Sequence, residues 1–144
     1  MKSPRIRALL DTNVFIYAFE TPKSNSSLII DALNYGVFEA VVTESVFKEV
    51  YRYFRKYYLK KVADDFRVYI FTACGVIFSG QLTEYSAKYV RLINKEDLEL
   101  LVAAKEFGFK YLVSCDKHFE GVEEHRTPRQ FATLLELKAC STDY

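Results

Sequence analysis

Short apolar segments of strand length alternate with longer helical segments along this chain. Residues 6–10, 37–42 and 111–114 have the composition of buried strands, and helical patterns lie between them. Parallel strands need a crossover connection, which is usually a helix. The alternation therefore predicts an α/β sandwich built around a mostly parallel sheet.

Capping residues and apolar periodicity place the helices. Asp11 can cap a helix over residues 12–19, and Thr43 can cap a long helical pattern over 44–61. Thr127 followed by Pro128 opens a last helix that extends to about residue 138. Residues 74–79 are ambiguous between a short strand and a loop. Further helices are expected from 26 or 27 to 35, over 63–72, over 83–92, and from about 94 to 108.

The composition fits one compact domain. The chain has 144 residues, half of them apolar, which is enough to bury a core. Its net charge of +1 comes from 20 Lys and Arg against 19 Asp and Glu, and disfavours a uniformly basic coat for nucleic acid. We expect a single domain over residues 1–140 and a short C-terminal tail over 141–144.

Cysteine usage and hydropathy bear on the compartment. Cys74, Cys115 and Cys140 are an odd, widely spaced set without a CxxC pair, which disfavours a disulfide framework and a zinc knuckle. The longest mostly apolar run, residues 68–78, is too short to cross a bilayer as a helix. We therefore expect a cytoplasmic protein that does not associate with membranes.

Three carboxylates follow or precede the predicted strands. Asp11 ends the first strand, Asp116 follows the third, and Asp97 lies in the first turn of the helix leading to that third strand. Open parallel sheets bind ligands outside the carboxyl ends of their strands. These three acids are therefore candidate ligands.

A fourth acid lies on the long helix. The apolar stripe of that helix, by i, i+4, i+7 and i+11 spacing, comprises Val46, Val50, Tyr53 and Tyr57. Glu49 falls inside this stripe or at its edge. A solvated glutamate has no reason to prefer that side, whereas a glutamate directed at a pocket does.

Each acid also has a purely structural interpretation. Asp11 and Asp116 could simply cap helices, and Asp97 could support a capping box that begins at Asn94. Glu49 could reach solvent past its neighbours. Taken singly, the structural interpretations are the commoner ones, because caps are frequent.

Convergence of the four acids would favour a metal. Close carboxylates raise one another's pKa unless a cation neutralises them, and oxygen clusters select Mg²⁺ or Mn²⁺. Such an ion supports phosphodiester hydrolysis by lowering the pKa of a bound water and stabilising the leaving oxygen. Thr12, Asn13 and Ser114 are the polar neighbours expected to orient ligands or waters.

Four segments resemble the motifs of PIN-domain nucleases. Residues 11–18, with the sequence Asp-Thr-Asn-Val-Phe-Ile-Tyr-Ala, are similar to the opening motif, and Glu49 matches the family's helical acid. Residues 97–104 resemble the third motif and residues 112–119 the fourth, and the helix start at 127–131 also recurs in the family. The order and approximate spacing match from about residue 5 to residue 137.

The resemblance implies a PIN-like three-layer α/β/α sandwich with a central, mostly parallel sheet of four to five strands. It also implies a Mg²⁺- or Mn²⁺-dependent endoribonuclease acting on single-stranded or structured RNA. Asp11, Glu49, Asp97 and Asp116 would form the acidic site, with Asp11, Asp97 and Asp116 holding the metal. Relatives often carry a further acid or amide just after the last motif, where this chain has Lys117 and His118.

The same resemblance suggests a biological role. Many members of this size are VapC-type toxins, which form homodimers and are silenced by a cognate antitoxin protein. A stand-alone RNA-processing nuclease is the alternative. A catalytically silent PIN module that binds RNA or a protein is a third interpretation.

A basic helix is the candidate RNA contact. Residues 48–61 carry six basic residues against the single acid Glu49, interleaved with five aromatic residues. Positive charge follows phosphates, and aromatic faces stack on unpaired bases. Helical geometry groups Arg52, Arg55 and Lys56 away from the apolar stripe. A solvated or dimer-facing helix explains the same pattern equally well.

Other chemistries fit less well. A phosphatase of the haloacid-dehalogenase type needs a second Asp two positions after the first, where this chain has Asn13. His118 and His125 are too few for a triad of histidine ligands. A nucleophile at Ser114 or Cys115 would lack the glycines of a nucleophile elbow.

Overall fold

A computed structural model describes residues 5–82, 95–141 and 144. Its strands are β1 (Arg7–Leu10), β2 (Glu39–Thr43), β3 (Cys74–Ile77), β4 (Tyr111–Val113) and β5 (His125–Arg126). They form one parallel sheet in the order β3-β2-β1-β4-β5. Since β2 and β4 flank β1 on opposite sides, the strand order reverses between β1 and β4, which is where such sheets bind ligands.

Helices connect these strands, as the alternation predicts. Within the described residues they are α1 (Thr12–Glu20), α2 (Asn25–Asn34), α3 (Glu44–Tyr57), α4 (Lys60–Ala73), α5 (Lys95–Glu106) and α6 (Pro128–Leu134). Asp11, Thr43 and Thr127 cap their helices through their side chains. The predicted α/β fold with a parallel sheet is confirmed. The helix expected over 83–92 lies outside the described residues.

The structure settles one open assignment, adds one strand that was not expected, and moves two helix ends. Residues 74–77 are a strand paired with β2, and β5 has two residues, too few to carry a strand pattern. The long helix ends at Tyr57, because Tyr58 adopts an extended backbone and its hydroxyl donates to Glu20 of α1. The last helix ends at Leu134 rather than near 138, with Glu136 in the left-handed region at φ 63°.

The core covers both faces of the sheet. Ala8, Leu9 and Leu10 of β1 are all fully buried, although successive side chains of a strand point to opposite faces. Burial on both faces is the signature of a sheet covered by helices on each side. None of the helices in the described part of the chain is long and apolar enough to cross a membrane.

The buried stripe of α3 differs from the predicted one. Val46, Val50 and Phe54 are buried, whereas Tyr57 is 59% exposed. Phe54 stacks on Phe66 of α4 with ring centroids 4.2 Å apart. The stripe follows Phe54 rather than Tyr57 because α4 packs against that side of the helix, which local periodicity does not reveal.

Candidate active site at the carboxyl edge of the sheet

Asp11 joins the end of β1 to the start of α1. Its Oδ1 accepts a hydrogen bond from the backbone N–H of Thr12 at 2.7 Å, so the residue does cap the helix. Its Oδ2 accepts from the Ser114 hydroxyl at 2.6 Å and from the Asn13 amide at 3.2 Å. Only 7% of Asp11 is exposed. Capping and a place in the polar cluster are therefore compatible, because the two carboxylate oxygens do different things.

Hydrogen bonds of the Ser114 hydroxyl connect the ends of strands β1 and β4. Its hydroxyl donates to Asp11 and accepts from the Asn13 amide at 3.2 Å and from the backbone N–H of Asp116 at 2.9 Å. One donor and two acceptor positions are all that a hydroxyl has. The Asn13 carbonyl oxygen also accepts from the backbone N–H of Cys115 at 3.0 Å. The ends of β1 and β4 are thus fixed together by three polar side chains.

Glu49 reaches this edge from α3. The Thr12 hydroxyl donates to its Oε2 at 2.8 Å, although the two residues are 37 positions apart. The position of Glu49 beside the apolar stripe predicts that its side chain points toward the protein. In the structure that side of α3 faces α1. Thr12 bridges Asp11 and Glu49, since its backbone N–H binds the first and its hydroxyl binds the second.

The carboxylates of Asp97 and Asp116 both lie beside the imidazole of His118. The imidazole Nδ1 lies 3.1 Å from Asp97 Oδ2 and 3.3 Å from Asp116 Oδ1. Asp116 also caps the short 3₁₀ turn Lys117–Phe119, accepting from the His118 backbone N–H at 2.9 Å. The structure thereby places Asp97, at the start of α5, beside the residues that follow β4.

The electrostatics of Asp11 link it to the other acids. Burial raises its pKa to about 6, while hydrogen bonds from Ser114 and Thr12 act in the opposite direction. The charges of Glu49 and Asp97 raise the pKa further. Asp11 is therefore coupled to Glu49 and Asp97 through their charges, and to Asp116 through Ser114. These four acids are hereafter called the acidic cluster.

Comparisons with known proteins decide the family. A family model described as a PIN domain matches residues 7–118. The chain belongs to the PIN domain family. No significant match was found among curated proteins.

Solved structures share the fold of this PIN domain at low sequence identity. VapBC2 from Rickettsia felis, bound to a DNA fragment from its promoter, has a TM-score of 0.68 at 16% identity, over 85% of this chain and 98% of that one. A toxin–antitoxin complex from Klebsiella pneumoniae has a TM-score of 0.65 at 21% identity, over 84% and 97%. VapBC-1 from nontypeable Haemophilus influenzae has a TM-score of 0.63 at 14% identity, over 85% and 96%.

The donor set of this PIN domain fits a divalent cation. One ligand atom from each of Asp97, Asp116 and His118 lies within 4.8 Å of the other two. Burial raises the pKa of Asp11, so this carboxylate favours neutralisation by a proton or a cation. Carboxylate oxygens are the ligands that Mg²⁺ and Mn²⁺ prefer.

Glu99 is a polar residue of this region that the motifs did not single out. It accepts hydrogen bonds from the hydroxyls of Ser45, at the start of α3, and of Ser79, at 2.8 Å in the second case. The backbone N–H of Ser79 in turn donates to Glu44 at 3.0 Å. Glu99 therefore ties the helix that carries Asp97 to the helix that carries Glu49. In the sequence, the available indication was that Glu99 lies two residues after the motif acid Asp97.

Three of the four basic residues of α3 line one groove on the protein surface. Arg52 and Arg55 line a groove of about 370 Å³ between α3 and α4, together with Phe47, Lys48, Tyr51 and Arg67. Lys56 is not among the lining residues, and its ammonium lies 5.2 Å from the centre of the Tyr57 ring. All three predicted residues lie on α3, with Arg52 and Lys56 one turn apart, and their contact with RNA stays a prediction.

Proposed function

We propose that this PIN domain is a divalent-metal-dependent endoribonuclease. The observation that carries the proposal is the hydrogen bond from Ser114 to Asp11, which joins the ends of β1 and β4 at the switch point. Further support comes from Thr12, which connects Asp11 to Glu49, and from Ser114, which accepts from the backbone N–H of Asp116. A carboxylate-bound divalent ion, when present, lowers the pKa of a water and stabilises the leaving oxygen of a phosphodiester.

Asp11, Asp97 and Asp116 are the ligands that we assign to Mg²⁺ or Mn²⁺. The Asp11 carboxylate accepts hydrogen bonds from the Ser114 hydroxyl and the Thr12 backbone N–H, and these two bonds fix its direction. The side chains of Asp97 and Asp116 are 14% and 31% exposed, so both are partly accessible from solvent. Pre-positioned ligands of this kind reduce the reorganisation that catalysis requires.

Glu49 is the acid that we assign to the attacking water, or to a further ligand position. Thr12 orients its carboxylate, and a carboxylate oriented in this way can accept a proton from a water that attacks phosphorus. Asn13 and Ser114 take no proton in this scheme. They hold Asp11 and the backbone that leads to Asp116.

RNA is the substrate class that the α3–α4 groove supports. Arg52 and Arg55 supply positive charge, and Tyr51 and Phe47 supply aromatic surface. The other two cations of the groove are paired with acids, Lys48 with Glu44 and Arg67 with Asp64. Arginine guanidinium groups bind phosphate in a bidentate manner, and aromatic rings stack on unpaired bases. The groove lies on the helix that also carries Glu49, although its lining residues and Glu49 occupy different sides of that helix.

The biological role that we propose is that of a VapC-type toxin, active in the cytoplasm as a homodimer and silenced by an antitoxin. Support comes from the fold shared with structures described as VapBC or toxin–antitoxin complexes. The three free cysteines are consistent with a reducing compartment. The alternative is a stand-alone RNA-processing nuclease. A neighbouring reading frame that encodes a small DNA-binding protein would favour the toxin.

The test of the nuclease is direct. Purified, chelator-treated protein is incubated with single-stranded and structured RNAs, with Mg²⁺ or Mn²⁺ and with or without EDTA. We expect internal cleavage that requires the ion and stops when EDTA is added. Absence of EDTA-sensitive cleavage across all substrates and both ions would favour a catalytically silent binding module instead.

A further inference from the structure

The imidazole of His118 lies beside two of the motif acids, Asp97 and Asp116. Its Nδ1 lies 3.1 Å from Asp97 Oδ2 and 3.3 Å from Asp116 Oδ1. The backbone N–H of His118 donates to the same Asp116 oxygen, which fixes the 3₁₀ turn that presents the ring. The imidazole therefore contacts both carboxylates at once.

These separations agree with the edges of a coordination sphere. Bonds of about 2.1 Å to an octahedral ion place neighbouring ligand atoms about 3.0 Å apart. The two nitrogen-to-oxygen distances of 3.1 and 3.3 Å are close to that value. The three ligand atoms also lie within 4.8 Å of one another, so one ion can contact all three after small side-chain movements.

The other histidine is committed elsewhere. His125 Nε2 lies 2.9 Å from the carbonyl oxygen of Ser114, and its ring packs near Phe119. His118, by contrast, has a side chain that is 58% exposed and directed at the two acids. It therefore supplies the site with an imidazole nitrogen in addition to carboxylate oxygens.

We propose that His118 Nδ1 coordinates the ion held by Asp97 and Asp116, and that the site consequently prefers first-row transition-metal dications to Mg²⁺. This proposal rests on the metal site of the proposed function. Imidazole is a favourable ligand for transition metals, whose affinities rise from Mn²⁺ toward Co²⁺ and Ni²⁺. Mg²⁺ prefers oxygen ligands and retains its waters, so it gains little from the nitrogen.

The first test is spectroscopic and needs no RNA. Mn²⁺ is added to the chelator-treated chain, and electron spin-echo envelope modulation is recorded on the bound ion. We expect the ¹⁴N modulation of a directly coordinated imidazole in the wild type and its loss in His118→Asn. The control, Lys117→Gln, changes the exposed neighbour in the same turn and should keep the modulation.

The second test compares affinities for the metals alone by calorimetry. His118→Asn should weaken Co²⁺ binding by at least about tenfold, the loss already typical of groups that only support a metal ligand. Mg²⁺ binding should change much less, and His118→Gln should behave like His118→Asn. A folded fraction matched by circular dichroism keeps the comparison meaningful.

Three outcomes distinguish a failure of the proposed role of His118 from a failure of the proposed metal site. Bound Mn²⁺ without ¹⁴N modulation would overturn the role of His118 and leave the carboxylate site intact. Equal losses of Co²⁺ and Mg²⁺ affinity in His118→Asn would show that the ring only positions the two acids, which also overturns it. Failure of the wild type to bind any of the three ions would overturn the metal site and this proposal together.

Discussion

The Ser114 hydroxyl donates a 2.6 Å hydrogen bond to Asp11 Oδ2, and this single bond crosses from the residue after β4 to the residue after β1. The two residues are 103 positions apart in the chain. Parallel pairing of β1 with β4 places Leu10 beside Val113, so the next residues of each strand emerge together. The sheet register therefore assembles the acidic cluster.

Replacing Ser114 with Ala should weaken both stability and the proposed activity. The change removes the donor to Asp11, whose Oδ2 keeps only the 3.2 Å bond from the Asn13 amide, and it removes the acceptor for the Asp116 backbone N–H. Loss of such a bond costs about 1–3 kcal/mol, which urea unfolding can measure. Ser26→Ala is the matched control, because Ser26 is also fully buried but makes a 4.0 Å contact with the Cys115 sulfur. Equal losses in the two variants would contradict the role of Ser114.

The free energy of unfolding should depend on pH through Asp11. Burial raises its pKa to about 6 in the folded protein, against about 3.9 in an unfolded chain. Between these values the folded state holds a proton that the unfolded state has released, so stability falls as pH rises from about 4 to 6. The loss in metal-free buffer is at most about 3 kcal/mol.

Asp11→Asn isolates this contribution, because asparagine caps helices well and does not titrate. The variant should show a flatter pH profile than the wild type in urea unfolding with EDTA between pH 4 and 7. A profile with the same slope in both proteins would show that other groups dominate the pH dependence.

Much of the acidic cluster could be predicted from sequence, because strand ends and apolar stripes are local patterns. Asp11 and Asp116 follow apolar runs, so their common edge follows from parallel pairing of β1 and β4. Glu49 lies on a helix, and only its position beside an apolar stripe indicated the side to which it points. The bonds from Glu99 to Ser45 and Ser79 could not be predicted, since they join three separate segments. Phe54 was missed for the same reason, because its burial depends on Phe66 of the next helix.

Removal of the Glu99 carboxylate should loosen the spacing between α3 and α5. Glu99→Ala loses both serine hydrogen bonds, so we expect a stability loss of about 1 kcal/mol or more and slower RNA cleavage. A double-mutant cycle with Ser45→Ala provides the control. The two effects should be less than additive, since both variants break the same bond, and full additivity would contradict the link.

Arginines of the α3–α4 groove should contribute to RNA affinity. Arg52→Ala and Arg55→Ala should each weaken binding of single-stranded RNA and reduce the salt dependence by about one counterion. Lys56→Ala should have a smaller effect, since Lys56 lies over Tyr57 outside the groove. Fluorescence anisotropy in EDTA measures these affinities without cleavage. Equal effects at all three positions would indicate general surface charge rather than the groove.

RNA hydrolysis with a divalent ion at the acidic cluster is the activity that we propose for this PIN domain. The most direct measurement is the single-turnover rate of RNA cleavage by wild type and Asp11→Asn, each at increasing Mn²⁺ and again in EDTA. We predict that wild-type cleavage rises with Mn²⁺ and stops in EDTA, while Asp11→Asn, folded by circular dichroism, cleaves no faster than the wild type in EDTA. Cleavage by Asp11→Asn at the wild-type rate would contradict the assignment of the acidic cluster as the nuclease site.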